Sequence, residues 1–189
     1  MFKRTLTLAI LLSFVLLISA CGKKESKPED LSAVQPIINV SNNMQITSPQ
    51  FKNNEEMPDK YGCKGTNINP PLTISDVPAD AKSLALTVDD PDAPRGDWVH
   101  WVVFNIPPET REIAEGSVPA GATQGTNDFG DMSYGEPCPP FDTHRYFFKA
   151  YALDTMLELN AQTTKQDLEK AIAGHILDKA EIVGLFTRK

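Results

Sequence analysis

Trp98-Val-His-Trp-Val-Val-Phe-Asn105 carries apolar side chains on both faces that a strand would present. Side chains alternate along a strand with a period of two. Trp98, Val102 and Phe104 therefore fall on one face, and Val99, Trp101 and Val103 on the other. That pattern belongs to a strand in a sheet covered on both sides. Tyr146-Phe-Phe-Lys-Ala-Tyr-Ala-Leu153 has the same quality. Ser83 to Asp89 alternates loosely, and Met44 to Phe51 and Ala180 to Thr187 read as a first and a last strand. One helix is expected: Thr164-Lys-Gln-Asp167 resembles a capping box, with Leu168, Ala171, Ile172 and Ile176 at helical spacing behind it. The 15 prolines and 11 glycines cut the chain into short pieces, which argues against a helical bundle. The expected class is mainly β, a sandwich with one or two helices in its C-terminal half.

Residues 1–20 have the parts of a secretory signal: Lys3 and Arg4, an apolar run from Leu8 to Ile18, then Ser19 and Ala20. The run is shorter than the roughly 20 residues needed to span a bilayer. Ile18-Ser19-Ala20-Cys21 resembles the bacterial lipoprotein cleavage box, in which the cysteine sulfur is acylated. A lipid on Cys21 is therefore expected, with residues 21–43 as a flexible tether and 44–189 as the single folded domain. The expected location is outside the cytoplasm on a bacterial membrane. Gly22 after the cysteine favours the periplasmic face of the outer membrane in a Gram-negative source.

The whole chain has 18 basic and 25 acidic residues, net −7; loss of Lys3 and Arg4 with the leader leaves 16 and 25, net −9. So acidic a protein is repelled by nucleic acid, whose binding rests on Lys and Arg meeting phosphates. Lys23, Lys24 and Lys27 interleave with Glu25, Glu29 and Asp30, as suits a soluble tether. With Cys21 acylated, Cys63 and Cys138 remain as an even pair in an oxidising compartment. A disulfide would close a loop of about 75 residues; two separate buried thiols are the alternative.

Two stretches stand out in composition. Asp89-Asp-Pro-Asp-Ala-Pro-Arg-Gly-Asp-Trp98 leads straight into Val99-His100-Trp101. Tyr134-Gly-Glu-Pro-Cys-Pro-Pro-Phe-Asp-Thr-His-Arg-Tyr146 leads into the later strand. Each sets a proline turn beside a strand, and fixed φ leaves little entropy to lose on binding. DPDAP followed by HW, with a later proline run ending in HRY, resembles the phosphatidylethanolamine-binding protein family, especially its bacterial Raf-kinase-inhibitor-like branch. The likeness extends to Tyr61-Gly-Cys-Lys-Gly65, Asn69-Pro-Pro-Leu72, Tyr151-Ala-Leu-Asp154 and Gly174-His175, and so covers residues 44–188.

The resemblance implies a large antiparallel sheet packed on a smaller one, with a small anion-binding pocket at one end. Carried over by position, the pocket would use Asp90, Asp92, Trp98 and His100 from the first stretch. Cys138 (through its backbone N–H), Pro140, His144 and Tyr146 would come from the second. Relatives usually read Gly-Pro before the cysteine, where this chain has Glu136-Pro137; a glutamate there would narrow the mouth or repel anions.

The residue chemistry fits such a pocket. His100 and His144 offer N–H groups that gain charge near a phosphate, and Tyr146 offers a hydroxyl. Asp90 and Asp92 repel a bare anion but suit a zwitterion or a protonated phosphate monoester. The expected function is non-catalytic binding of a phospholipid headgroup or small phosphate-type anion, tighter in mildly acidic solution. Serine protease inhibition, one activity associated with the family, is the alternative. Catalysis ranks lower: the chain has no G-x-S-x-G, H-E-x-x-H, glycine-rich phosphate loop or C-x-x-C, and Ser133 and Thr143 have no evident base. No cofactor is expected. No metal is either, since the aspartates near residue 90 miss the EF-hand spacing. Arg145 is expected to pair with an acidic neighbour, and His175 to serve a helix end.

Overall fold

A computed structural model describes residues 43–188. The expected signal at 1–20, lipidation at Cys21 and all but the end of the tether at 21–43 lie outside the described residues. In chain order the strands are β1 (Gln45–Thr47), β2 (Glu55–Glu56), β3 (Leu72–Ser75), β4 (Ser83–Asp90) and β5 (Trp98–Ile106). They continue with β6 (Glu112–Ile113), β7 (Thr123–Gln124), β8 (Thr143–Leu153) and β9 (Ile176–Thr187), and α1 (Lys165–Ile172) lies between β8 and β9.

Strands β1-β3-β6 form a small sheet and β2-β9-β8-β4-β5-β7 a large one. All pairings are antiparallel except the short β2, which runs parallel to β9. The main core lies between the sheets: Ile46, Leu72, Ile74 and Ile113 of the small one meet Leu84, Leu86, Trp101, Val103, Phe148 and Ile182 of the large one. On the far face, Leu168 and Ile172 of α1, with Leu157, cover Ala85, Val102, Phe104 and Leu153. Covering on both faces is why β4 is buried at all eight positions. Each fully buried Leu, Val or Phe contributes about 1.5–3 kcal/mol.

The simple alternation expected for β5 fails at one point. Val88 faces Trp101 and Asp89 faces Val99, so β5 carries one extra residue, His100, in a β-bulge. The bulge resets the alternation, and Val99 packs with Val102 and Phe104 rather than with Trp101 and Val103. A second register shift separates Leu84–Ile106 from Leu86–Val103. There Asn105 adopts φ +54°, which Asn tolerates better than most residues. Its side chain accepts from Leu157 N–H and donates to Leu157 C=O, both at 2.9 Å, tying the 154–163 connection to the sheet.

The helix starts as expected, with Thr164 and Asp167 in a reciprocal capping box. It stops at Ile172, before the expected last turn, and Gly174 at φ +84° redirects the chain. Ile176 is consequently the first residue of β9 instead of the last on a helix face. The first strand is shorter than Met44 to Phe51, and β2, β3, β6 and β7, of two to four residues, are too brief to show a period. Cys63 and Cys138 are joined as a disulfide with Cα atoms 5.2 Å apart. Beside it Cys63 N–H donates to Pro137 C=O at 2.9 Å.

Candidate functional site

Three adjacent strands of the large sheet deliver the site. Asp90 ends β4, His100 occupies the bulge of β5, and His144 and Tyr146 begin β8. The order β8-β4-β5 sets these ends side by side. The turn between β4 and β5 and the irregular segment before β8 complete a cavity of about 290 Å³. Its lining is Asp90, Ala93, Pro94, Arg95, Trp98, His100, Phe129, Cys138, Pro139, Pro140, His144 and Tyr146.

Asp90 and His144 form a buried pair, Oδ2 to Nδ1 at 2.7 Å, with each side chain 5% exposed. The other Asp90 oxygen accepts the Asp92 N–H at 2.9 Å, so the carboxylate is held at both ends. Donation from His144 Nδ1 to the carboxylate leaves Nε2 as its second functional nitrogen. His100 Nδ1 lies 2.7 Å from the Gly135 carbonyl, which can only accept, so this nitrogen carries a proton. Burial holds the His100 imidazole below its usual pKa, against the raising effects of Gly135 and Asp90. In its neutral form His100 therefore presents an unprotonated Nε2 that can take a proton from a ligand.

The Tyr146 hydroxyl is buried and faces Asp90, without a hydrogen bond to it of ordinary geometry. Burial, then the charge of Asp90, push its pKa far above the usual phenol value, so it stays protonated. A buried donor without a partner costs on the order of 1–3 kcal/mol, and a ligand acceptor would relieve that cost. Tyr134 also has an unpartnered buried hydroxyl, but its ring packs edge-on to Trp101 and it does not line the cavity.

Seven of the eight expected pocket residues line this cavity; Asp92 does not. Its carboxylate accepts from Arg145 Nε and Nη2 at 2.8 and 2.7 Å, and from the Arg145 backbone N–H at 3.0 Å. The guanidinium holds the Asp92 carboxyl below the usual carboxylate range. Asp92 thus pins the first turn to β8, and Arg145 pairs as expected. Glu136 is not among the lining residues. His175 pairs with Asp154 beside the end of α1, outside the cavity, with Nδ1 and Oδ1 2.7 Å apart.

Phe129 is the main residue that sequence reasoning missed. It lies in an irregular loop organised by Asn127, whose Oδ1 accepts the N–H groups of Phe129 and Asp131. Asn127 Nδ2 donates to Ser133 C=O at 2.8 Å. The Phe129 ring sits edge-on to both Trp98 and His100, at centroid distances of 5.5 and 5.4 Å. It also occupies space left free by Gly135, where a Cβ would come within 2.4 Å of the ring. The available signal was one aromatic residue among turn formers in Asn127-Asp-Phe-Gly130.

Behind the site, Asp89 points to the opposite face of β4 and meets Lys149 at 2.8 Å and Lys165 at 3.0 Å. Lys165 also holds Asp97, the last residue of the pocket turn, at 2.5 Å. Burial would lower the Lys165 pKa, but the hydrogen bond to Asp97 and the charge of Asp89 raise it overall. Among the described residues, no group of three or more His, Cys, Asp or Glu side chains is arranged to hold a metal ion.

The described residues thus form a small β-sandwich with a histidine-lined cavity at one end. The family model described as phosphatidylethanolamine-binding protein matches residues 47–187. A UPF0098 protein of Methanothermobacter thermautotrophicus is 47% identical over 150 residues, covering 77% of this chain and 99% of the relative. A solved structure described as a phosphatidylethanolamine-binding protein homolog from Chlamydia trachomatis is 45% identical with a TM-score of 0.76, covering 79% of this chain and 100% of that one. YbcL of Escherichia coli, described as a new member of the mammalian PEBP family, is 34% identical with a TM-score of 0.73, over 77% and 99%. The chain belongs to the phosphatidylethanolamine-binding protein family.

Proposed function

We propose that the end cavity binds a small phosphate-bearing ligand of the phospholipid-headgroup type and performs no chemistry on it. The observation that carries this reading is the cavity itself, which gathers His100, His144 and Tyr146 at the ends of three adjacent strands. A phosphate oxygen in this cavity accepts from the imidazole N–H groups, and its charge favours the protonated, donating form of His100. Asp90 fixes the orientation of His144, a role that needs no free carboxylate in the cavity. Further support comes from the family name itself, which refers to a phosphate-bearing lipid.

As part of this reading, the protein is exported and held to a bacterial membrane by lipid on Cys21, which sets the cavity within reach of headgroups. The Cys63–Cys138 disulfide supports export, because such bonds persist in oxidising compartments.

Calorimetric titration with inorganic phosphate, phosphoethanolamine and acetate at pH 6 and pH 8 tests the binding reading. Saturable binding of both phosphates, stronger at pH 6 and lost in His100→Ala, is the expected result. Absence of binding by either phosphate would overturn it.

A further inference from the structure

The cavity is larger than a phosphate requires, and apart from Arg95 its remaining walls are apolar. At about 290 Å³ it holds more than a phosphate group fills. The walls away from the histidines come from Pro94, Trp98, Phe129 and Pro139. Trp98 and Phe129 stand at 80° to each other with centroids 5.5 Å apart. Phe129 is 49% exposed and Trp98 is partly exposed, so aromatic surface in this corner lacks a protein partner.

Several acceptors near the site each already receive one hydrogen bond, so a primary ammonium would share them with existing partners. Asp90 accepts from His144 on one oxygen and from Asp92 N–H on the other. The Gly135 carbonyl is held by His100, and that of Ala93 by Gly96 N–H. A cation that has no N–H to satisfy avoids this competition and gains from the aromatic faces. The Asp90 charge still favours a cation over a neutral group, while Arg95 adds a positive charge that favours the phosphate.

Resting on the phosphate-binding reading above, we infer that Trp98 and Phe129 form a subsite for a fully methylated ammonium. The preferred ligands are then choline phosphomonoesters rather than ethanolamine phosphomonoesters. Phe129 is the specificity-determining residue, since its ring supplies one of the two walls.

The test titrates the purified full chain with inorganic phosphate, phosphoethanolamine and phosphocholine, and repeats the series on Phe129→Leu, which keeps an apolar side chain but removes the aromatic face. Phosphocholine is expected to bind about 5- to 30-fold more tightly than phosphoethanolamine, as cation–π contacts of ordinary strength provide. In Phe129→Leu that ratio should fall to about 2- to 5-fold, because Trp98 remains as the other wall. The bound trimethylammonium protons should also move upfield by NMR through the ring currents of the two walls, and less so in the variant. Phosphate binding with equal or weaker binding of phosphocholine than of phosphoethanolamine would overturn the subsite and leave the phosphate reading standing. No binding of any of the three would overturn both. A preference for phosphocholine that survives Phe129→Leu undiminished would overturn the role of Phe129.

Discussion

His144 Nδ1 and Asp90 Oδ2 lie 2.7 Å apart, with both side chains almost wholly removed from solvent. Two residues further on, Asp92 faces outward and holds Arg145. Two aspartates of one proline turn thus have different tasks: Asp90 orients a pocket histidine, and Asp92 fastens the turn that closes the pocket.

The two aspartates should separate cleanly in mutants. Asp90→Ala strips His144 of its buried partner and Asp92 N–H of its acceptor, and should cost about 1–3 kcal/mol of stability and most phosphate affinity. Asp92→Ala leaves the cavity lining intact, and its affinity should stay within about threefold of wild type, as expected for loss of an exposed ion pair. Urea unfolding and calorimetry on the two variants check this. Equal loss of binding in both would show that the turn Asp92 fastens sets the affinity as strongly as the cavity lining does.

His100 makes folding sensitive to acid. Its folded-state pKa lies below the ordinary value because of burial, while in the unfolded chain it returns to about 6.5. As pH falls, the unfolded state takes up this proton first, so the contribution of His100 is present above about 6.5 and is lost on acidification toward the folded value. His100→Gln, which retains a donor for Gly135, should lose less stability between pH 7 and pH 5 than wild type does. Ligand binding has the opposite sign, because a phosphate draws the proton onto His100. Calorimetry in buffers of different ionisation enthalpy should show proton uptake on binding.

Much of this site is legible in residue order because its parts lie at strand ends beside prolines. Asp90 and His100 flank one proline turn, and His144 and Tyr146 follow another. The β5 bulge is not legible, since Val99-His100-Trp101 alternates in the same way with or without it. Only the pairing with Val88 and Asp89 shows that His100 is the extra residue. Phe129 was hidden for a related reason. Its place depends on the Asn127 side chain and on the missing Cβ of Gly135, neither of which leaves a periodic trace. The end of α1 was overshot because Ile176 keeps helical spacing, although Gly174 ends the helix before it.

The disulfide should matter to both folding and binding. It closes a separation of 75 residues, for which the chain-entropy model gives roughly 4 kcal/mol. Cys138 is itself part of the cavity wall, and residues 135–140 around it form no regular structure. The double variant Cys63→Ser/Cys138→Ser should therefore unfold at lower urea and bind phosphate more weakly even where it is fully folded. Unchanged affinity in the folded variant would show that backbone contacts such as Cys63 N–H to Pro137 C=O suffice to hold the wall.

The network behind the sheet carries the last expectation. Lys165 joins helix α1 to Asp89 within β4 and to Asp97 at the end of the pocket turn. Asp89 is 1% exposed, and removing one of its two lysines leaves a buried carboxylate less well compensated. Breaking a fully buried pair costs about 3–5 kcal/mol. Lys149 remains in place here and Asp97 is partly exposed, so Lys165→Met should cost less, about 1–3 kcal/mol. Because Asp97 closes the turn that bears Ala93, Pro94 and Arg95, hydrogen exchange should speed up across residues 91–97 as well as in α1. Faster exchange in the helix alone would mean that Lys165 anchors α1 without positioning the turn.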